Sequence, residues 1–146
     1  WYYRRDIVRV SDADWTPPAY FKVPREMERY CQYINVSIDK NDLNSVLEGA
    51  AFAHLHLVRI HPFYDGNGRT SRAIQNVILQ AYGLPPTVIY AGERHDYYNH
   101  LQDAINGWRN RTSDSANELR NSPDENSFYN YIAGKVSGSY DRLLGL

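Results

Sequence analysis

The chain has 146 residues, 42% of them hydrophobic, and a formal net charge of −1. That length suits one soluble domain with a real core. The near-neutral charge argues against a duplex nucleic-acid binder, and no apolar run approaches the ~20 residues of a membrane span. The one cysteine, Cys31, excludes an internal disulfide and fits a reducing, cytoplasmic setting, and no signal peptide is recognised. Because the sequence starts at Trp1 rather than Met, it reads as a fragment, with upstream parts expected.

In chain order, Tyr2 to Val10 mixes β-branched and aromatic residues with charges and reads as a strand. Ser11-Asp12-Ala13-Asp14 is turn-like, Pro17-Pro18 break regular structure, and Tyr20 to Val23 reads as a return strand. Residues 2–23 are thus expected to form an irregular β-hairpin. Pro24 suits a first helical turn, and Met27, Tyr30, Cys31 and Ile34 share one face behind it. A second helix is expected from about Asp42 to Val58, with Leu43, Leu47, Ala50, His54 and Val58 on one stripe. The loop Arg59 to Gly68 follows, then a third helix from about Arg69 to Tyr82. Its buried face is expected to hold Ile74, Val77, Ile78 and Ala81, with Gly83 as its stop. Tyr98, Leu101, Ile105 and Trp108 mark a fourth helix, and Arg109 to Asn121 reads as a loop with a short helix. Ser122-Pro123-Asp124-Glu125 is a capping-box start. Phe128, Tyr131, Ile132, Tyr140 and Leu143 mark the last helix. The expectation is a mainly α-helical single domain with one hairpin.

The loop between helices two and three concentrates the chemistry. Gly66 and Gly68 let backbone N–H groups approach an anion closely. They lie at a helix start, where N–H groups lack partners and the dipole is positive, which makes a phosphate site. Asn67 between them adds a side-chain donor. Arg69 and Arg72, three apart, project from one face and can fork onto successive phosphates. Asp65 is a hard oxygen ligand beside that anion site, suited to Mg²⁺ held by one carboxylate, phosphate oxygens and water. The unperturbed pKa of histidine, about 6.5, suits His61 to the part of a general base near neutrality. Each residue alone is commonplace; base, metal ligand, anion cradle and two forks in order at a loop-to-helix junction are not. Other sites fare worse. His54 and His56 face different sides of a helix, and His54 and His61 lie roughly 10 Å apart along one, too far to share a zinc ion. No P-loop pattern is present.

The run His61-Pro62-Phe63-Tyr64-Asp65-Gly66-Asn67-Gly68-Arg69-Thr70-Ser71-Arg72 resembles the Fic family motif, H-x-F-x-[D/E]-G-N-G-R-x-x-R, at every defined position. The resemblance extends over most of the chain. It implies a Fic domain over residues 1–146: a helical bundle with a β-hairpin flap, about residues 2–23, over the catalytic loop and helix start at 61–72. It also implies a protein adenylyltransferase that moves AMP from ATP to a Ser, Thr or Tyr hydroxyl of a target protein and releases pyrophosphate. His61 would be the base and Asp65 the Mg²⁺ ligand. Gly66, Asn67 and Gly68 would cradle the α- and β-phosphates, Arg69 would bind the β-phosphate and Arg72 the γ-phosphate. Tyr98 would stack near the adenine. Flap residues Asp12, Ala13, Asp14, Trp15 and Thr16 would clamp the target by strand pairing. The Gly-Asn-Gly form is the one associated with AMP transfer, whereas relatives that phosphorylate carry a lysine-containing form.

One family element is missing. The inhibitory pattern [S/T]-x-x-x-E-[G/N] is only approached by Ser45…Glu48-Gly49 and Ser122…Glu125-Asn126, each one residue short. An inhibitory helix is therefore expected upstream of Trp1 or on a partner chain. Two alternatives stand beside AMP transfer: a Fic-like module that binds nucleotide or a partner without turnover, and a hydrolase that removes AMP with the same site.

Overall fold

The computed structural model describes residues 2–11, 13–109 and 123–145. Five α-helices make up the described fold: α1 (Val23–Ser37), α2 (Leu43–Ile60), α3 (Asn67–Ala81), α4 (Arg94–Arg109) and α5 (Pro123–Leu144). Single 3₁₀ turns at Tyr20–Lys22 and Ala91–Glu93 precede α1 and α4. No helix among the described residues is long and apolar enough to cross a membrane.

Helix α2 is the axis of the bundle, and α1, α3, α4 and α5 all pack on it. Its N-terminus is set by Asp42, whose carboxylate accepts from the Asn44 N–H at 3.0 Å. From Gly49 to Ile60 every residue is buried. A helix buried all round is a central one, and the small residues Gly49, Ala50, Ala51 and Ala53 let its neighbours approach closely. Gly49 shows this directly: a Cβ there would lie 2.5 Å from Ile38 Cγ1.

The β-hairpin does not appear. Among the described residues there is no strand, and 2–11 and 13–19 are irregular. The reason lies in where its donors go. The Arg4 N–H bonds the Pro62 carbonyl at 2.9 Å and the Arg5 N–H bonds the Tyr64 hydroxyl at 2.9 Å, so they are spent on the loop after α2 instead of a sister strand. The expected return strand, Tyr20 to Val23, instead winds into α1, whose first turn Pro24 favours.

Several faces also differ from the pattern. Cys31 is exposed, because α1 buries Val23, Met27 and Tyr30, a stripe one step away. Leu43, in the first turn of α2, is exposed and Val46 takes its place in the core. On α3, Val77 and Ala81 face outward, while Asn67, Ser71 and Gln75 join Ile78 and Leu79 inside. That inner face closes the loop and pairs with His54, so polarity there is structural. Tyr140 and Leu143 are exposed, since α5 has no buried residue beyond Ser139. The expected loop and short helix at 109–121, apart from Arg109, lie outside the described residues, as do Asp12 and the cap residue Ser122.

Candidate active site

Helix α2 ends at His61, which adopts a left-handed conformation with φ 51° and ψ 57°. It is the one non-glycine with positive φ among the described residues, an uncommon state for a side chain with a Cβ. Its Nδ1 lies 3.2 Å from the Val58 carbonyl. A carbonyl only accepts, so Nδ1 carries the proton and Nε2 keeps its lone pair. Burial pushes the His61 pKa below the ordinary histidine value; the Val58 carbonyl opposes this and the Arg4 guanidinium adds to it. Neutral imidazole with a free Nε2 is the form a general base needs.

The loop that follows is closed by Asn67. Its Oδ1 accepts from the Phe63 N–H at 3.0 Å, and its Nδ2 donates to the Phe63 carbonyl at 2.8 Å. The side chain is buried, with both ends of the amide engaged. Asn67 thus clasps the loop, its amide engaged with Phe63 where the sequence suggests a donor to phosphate. Gly66 caps α3 with φ 83°, a value that favours glycine. Helix α3 starts at Asn67, two residues earlier than expected, so Gly68 and Arg69 lie in its first turn. No side chain caps this end, which leaves its first N–H groups directed at whatever anion binds.

Asp65 and Arg69 pair across this junction, Oδ2 to Nη2 at 2.9 Å, and the Gly66 N–H donates to Asp65 Oδ1 at 2.6 Å. Both side chains are well exposed. No cluster of three His, Cys, Asp or Glu residues suited to a metal occurs among the described residues. A lone carboxylate beside a phosphate site fits Mg²⁺, which completes its shell with phosphate and water oxygens.

Arg72 lies one turn further along α3. With Tyr90, Arg94, Tyr97 and Tyr98 it lines a pocket of about 310 Å³. Tyr98 is partly exposed on the pocket wall, and the Arg94 guanidinium sits 5.4 Å from its ring centre. Tyr98 also lines a narrow cleft with Trp15 and Val58, and the Trp15 ring meets His61 edge-on at 6.3 Å. The pocket and His61 are thus linked through Tyr98 and Trp15.

Behind the pocket runs a buried polar relay absent from the sequence reading. The Gln75 amide donates to Thr87 Oγ1 at 2.6 Å, and Gln75 Oε1 faces His54 Nδ1 at 2.6 Å. His54 Nε2 meets the Tyr97 hydroxyl at 2.8 Å, and Tyr97 shares the pocket lining with Arg72. With Nδ1–H donating to Gln75, His54 must accept from Tyr97, which fixes its tautomer. Burial, partly offset by the Gln75 hydrogen bond, pushes its pKa down to about 4. A stripe of polar residues at i, i+4 and i+8, Asn67, Ser71 and Gln75, is the signal that marks this face. His56 is likewise structural, meeting the buried Glu125 at 3.1 Å and Arg59 at 3.0 Å.

The flap residues are only partly as expected. Trp15 is buried and forms part of the seat of His61, so its side chain is not presented outward. Asp14 takes both Asn106 Nδ2 contacts at 3.0 Å, its N–H donates to Gln102 Oε1 at 3.3 Å, and Thr16 is exposed. Ala13 is half-buried against the core.

A helical bundle with a histidine at one helix end and an uncapped, arginine-flanked helix start beside it sets a candidate base next to a candidate anion site. The model of the Fic/DOC family matches residues 2–79, and the chain belongs to that family. A protein adenylyltransferase Fic from Nematostella vectensis is 43% identical over 105 residues, 72% of this chain and 24% of the relative. One of the same description from Aedes aegypti is 55% identical over 58 residues, 40% of this chain and 12% of the relative. The chain therefore spans a quarter or less of the length of these curated relatives. A Fic domain containing signaling protein from Bacteroides thetaiotaomicron superposes with a TM-score of 0.80 at 30% identity, covering 94% of this chain and 52% of that one. Fic-1 (residues 134–508) from C. elegans gives 0.74 at 28% identity, covering 99% and 36%.

Proposed function

We propose that residues 1–146 act as one Fic domain that transfers AMP from ATP to a hydroxyl side chain of a target protein. The observation that carries this reading is the pairing of a neutral His61, Nε2 free, with the uncapped start of α3 flanked by Arg69 and Arg72. Names of relatives similar to this chain point the same way.

In this mechanism His61 Nε2 takes the proton of the target hydroxyl. The hydroxyl oxygen forms a bond to the α-phosphorus while the bond from that phosphorus to the bridging oxygen breaks, and pyrophosphate leaves with the electron pair. Positioning and charge stabilisation supply most of the rate. The N–H groups of Gly66, Asn67 and Gly68 would receive the α- and β-phosphates, Arg69 would leave Asp65 for the β-phosphate, and Arg72 would hold the γ-phosphate. Asp65, once released, would hold Mg²⁺, which offsets charge on the phosphates. The adenine would lie against Tyr98. Residues 2–19 would act as the flap, the main chain around Asp12, Ala13, Asp14, Trp15 and Thr16 offering a pairing edge to an extended target segment. Restraint of the site would come from an inhibitory helix outside residues 1–146 or on a partner chain.

The test is incubation of the purified protein with α-labelled ATP, Mg²⁺ and a cell lysate as target source. Label is expected on protein, and His61→Ala is expected to lower transfer by about 10²-fold or more. Absence of label from the intact protein would sink the reading, and label indifferent to His61→Ala would sink the mechanism.

A further inference from the structure

Arg4 lies in the irregular N-terminal segment yet is 2% exposed. A buried guanidinium needs every donor engaged, and its recorded acceptors are all main-chain carbonyls. Nε donates to His61 O at 2.7 Å, Nη1 to Asp6 O at 2.8 Å, and Nη2 to Pro18 O and to Ile60 O at 3.4 Å. Its own N–H donates to the Pro62 carbonyl at 2.9 Å. Two of these acceptors are the carbonyls of Ile60, the last residue of α2, and of its cap His61, which a helix end leaves without helical partners and with partial negative charge. Arg4 is thus a cap on the C-terminus of α2, delivered from some 57 residues away.

What it caps is a conformation that does not hold itself. His61 sits at φ 51°, and the residue after it is Pro62, whose ring disfavours helical backbone in the residue before it. Such a state persists only where its surroundings over-determine it. Beyond the His61 N–H on the Leu57 carbonyl and the Trp15 ring, the surroundings here are one short stretch. Besides Arg4, the Tyr64 hydroxyl donates to Asp6 Oδ2 at 2.9 Å and accepts from the Arg5 N–H at 2.9 Å. The Tyr3 ring lies 6.4 Å from that of Phe63. Residues 3–6 therefore grip residues 60–64 on both sides of the base.

We propose that Arg4 is a positioning residue for the general base, holding the His61 main chain in its left-handed turn so that Nδ1 stays on Val58 and Nε2 stays free. The proposal rests on His61 being the base. Arg4 touches no phosphate-binding group, so its loss acts on the proton-accepting end of the site and not on ATP capture. Its charge beside His61 also favours the neutral ring, in line with the lowered basicity of that histidine.

The experiment compares the purified wild type with Arg4→Gln, Arg4→Lys and Tyr64→Phe. Three quantities are read: kcat and KM for ATP with α-labelled ATP, side-chain ¹⁵N–¹H correlation spectra of His61, and the thermal midpoint. In Arg4→Gln, kcat is expected to fall by about tenfold or more with KM for ATP within about twofold. The His61 spectrum is expected to move from a single Nδ1–H tautomer to a mixture. Arg4→Lys keeps the charge but loses the fork and is expected to recover only part of kcat. Tyr64→Phe removes an exposed tether without emptying a buried site, and a smaller fall of the same kind is expected. A folded Arg4→Gln protein with unchanged kcat and His61 spectrum overturns the proposal, as does a rise in KM that accounts for the whole loss. If both Arg4 variants fail to fold, Tyr64→Phe decides, and an unaltered kcat and spectrum there overturn it. A wild type that transfers no label counts against the adenylyltransferase reading, while the tautomer comparison still decides the role of Arg4.

Discussion

At the scale of single residues, Asn67 illustrates how one side chain shapes a loop by bonding main chain. Its amide matches a peptide group donor for acceptor, so it closes the turn from Phe63 as a strand partner would. Asn67→Ala would leave the Phe63 N–H and carbonyl short of partners in a half-buried turn. The expected cost is about 1–3 kcal/mol of stability, with the loop free to move off the anion site. Urea unfolding measures the first effect, and binding of a fluorescent ATP analogue the second. A variant as stable as wild type would mean water or another group satisfies Phe63. Asp65 and Arg69 make the opposite case: their ion pair is exposed, so it costs little to break when phosphate and cation compete for the two groups.

At the scale of elements, the close approach of other groups to α2 rests on small residues. Gly49 admits Ile38, from the turn after α1, to within a distance no Cβ tolerates. Gly49→Ala is expected to destabilise by about 1–3 kcal/mol through overpacking. The double variant Gly49→Ala/Ile38→Ala should recover part of that loss, because the second change vacates the space the first fills. Chemical denaturation of the four proteins in the cycle gives the coupling, and a coupling near zero would mean that the helix shifts instead. Helix α3 follows a different logic. Its inner face is polar because it must close a loop at Asn67 and meet His54 at Gln75, so the apolar stripe on Val77 and Ala81 misleads.

At the scale of the whole molecule, acid should unfold this fold through His54. The buried ring takes up a proton only near pH 4 in the folded state, against about 6.5 unfolded. Between those values the unfolded chain binds more protons, so stability rises with pH and is lost as pH falls from about 6.5 towards 4. The loss from this one group reaches about 3 kcal/mol at most, and the lowered pKa of His61 acts in the same direction. Urea midpoints at pH 7 and pH 4.5 check this: the midpoint should drop at pH 4.5, and by less in His54→Gln. An equal drop in both proteins would place the sensitivity elsewhere. The sequence by itself determined the five helices and the chemistry of His61, Asp65, Gly66, Gly68, Arg69 and Arg72 as candidates. Helix periodicity, glycine freedom and charge are local properties, readable within a dozen residues. Only the tertiary structure decided that residues 3–6 bind the loop after α2 rather than pair as a hairpin, that Asn67 is a clasp, that Trp15 packs against His61, and that Arg4 caps α2 while the His54–Gln75–Thr87 relay lies behind the pocket. Those roles depend on which donors meet which acceptors across tens of residues, and no local pattern encodes that.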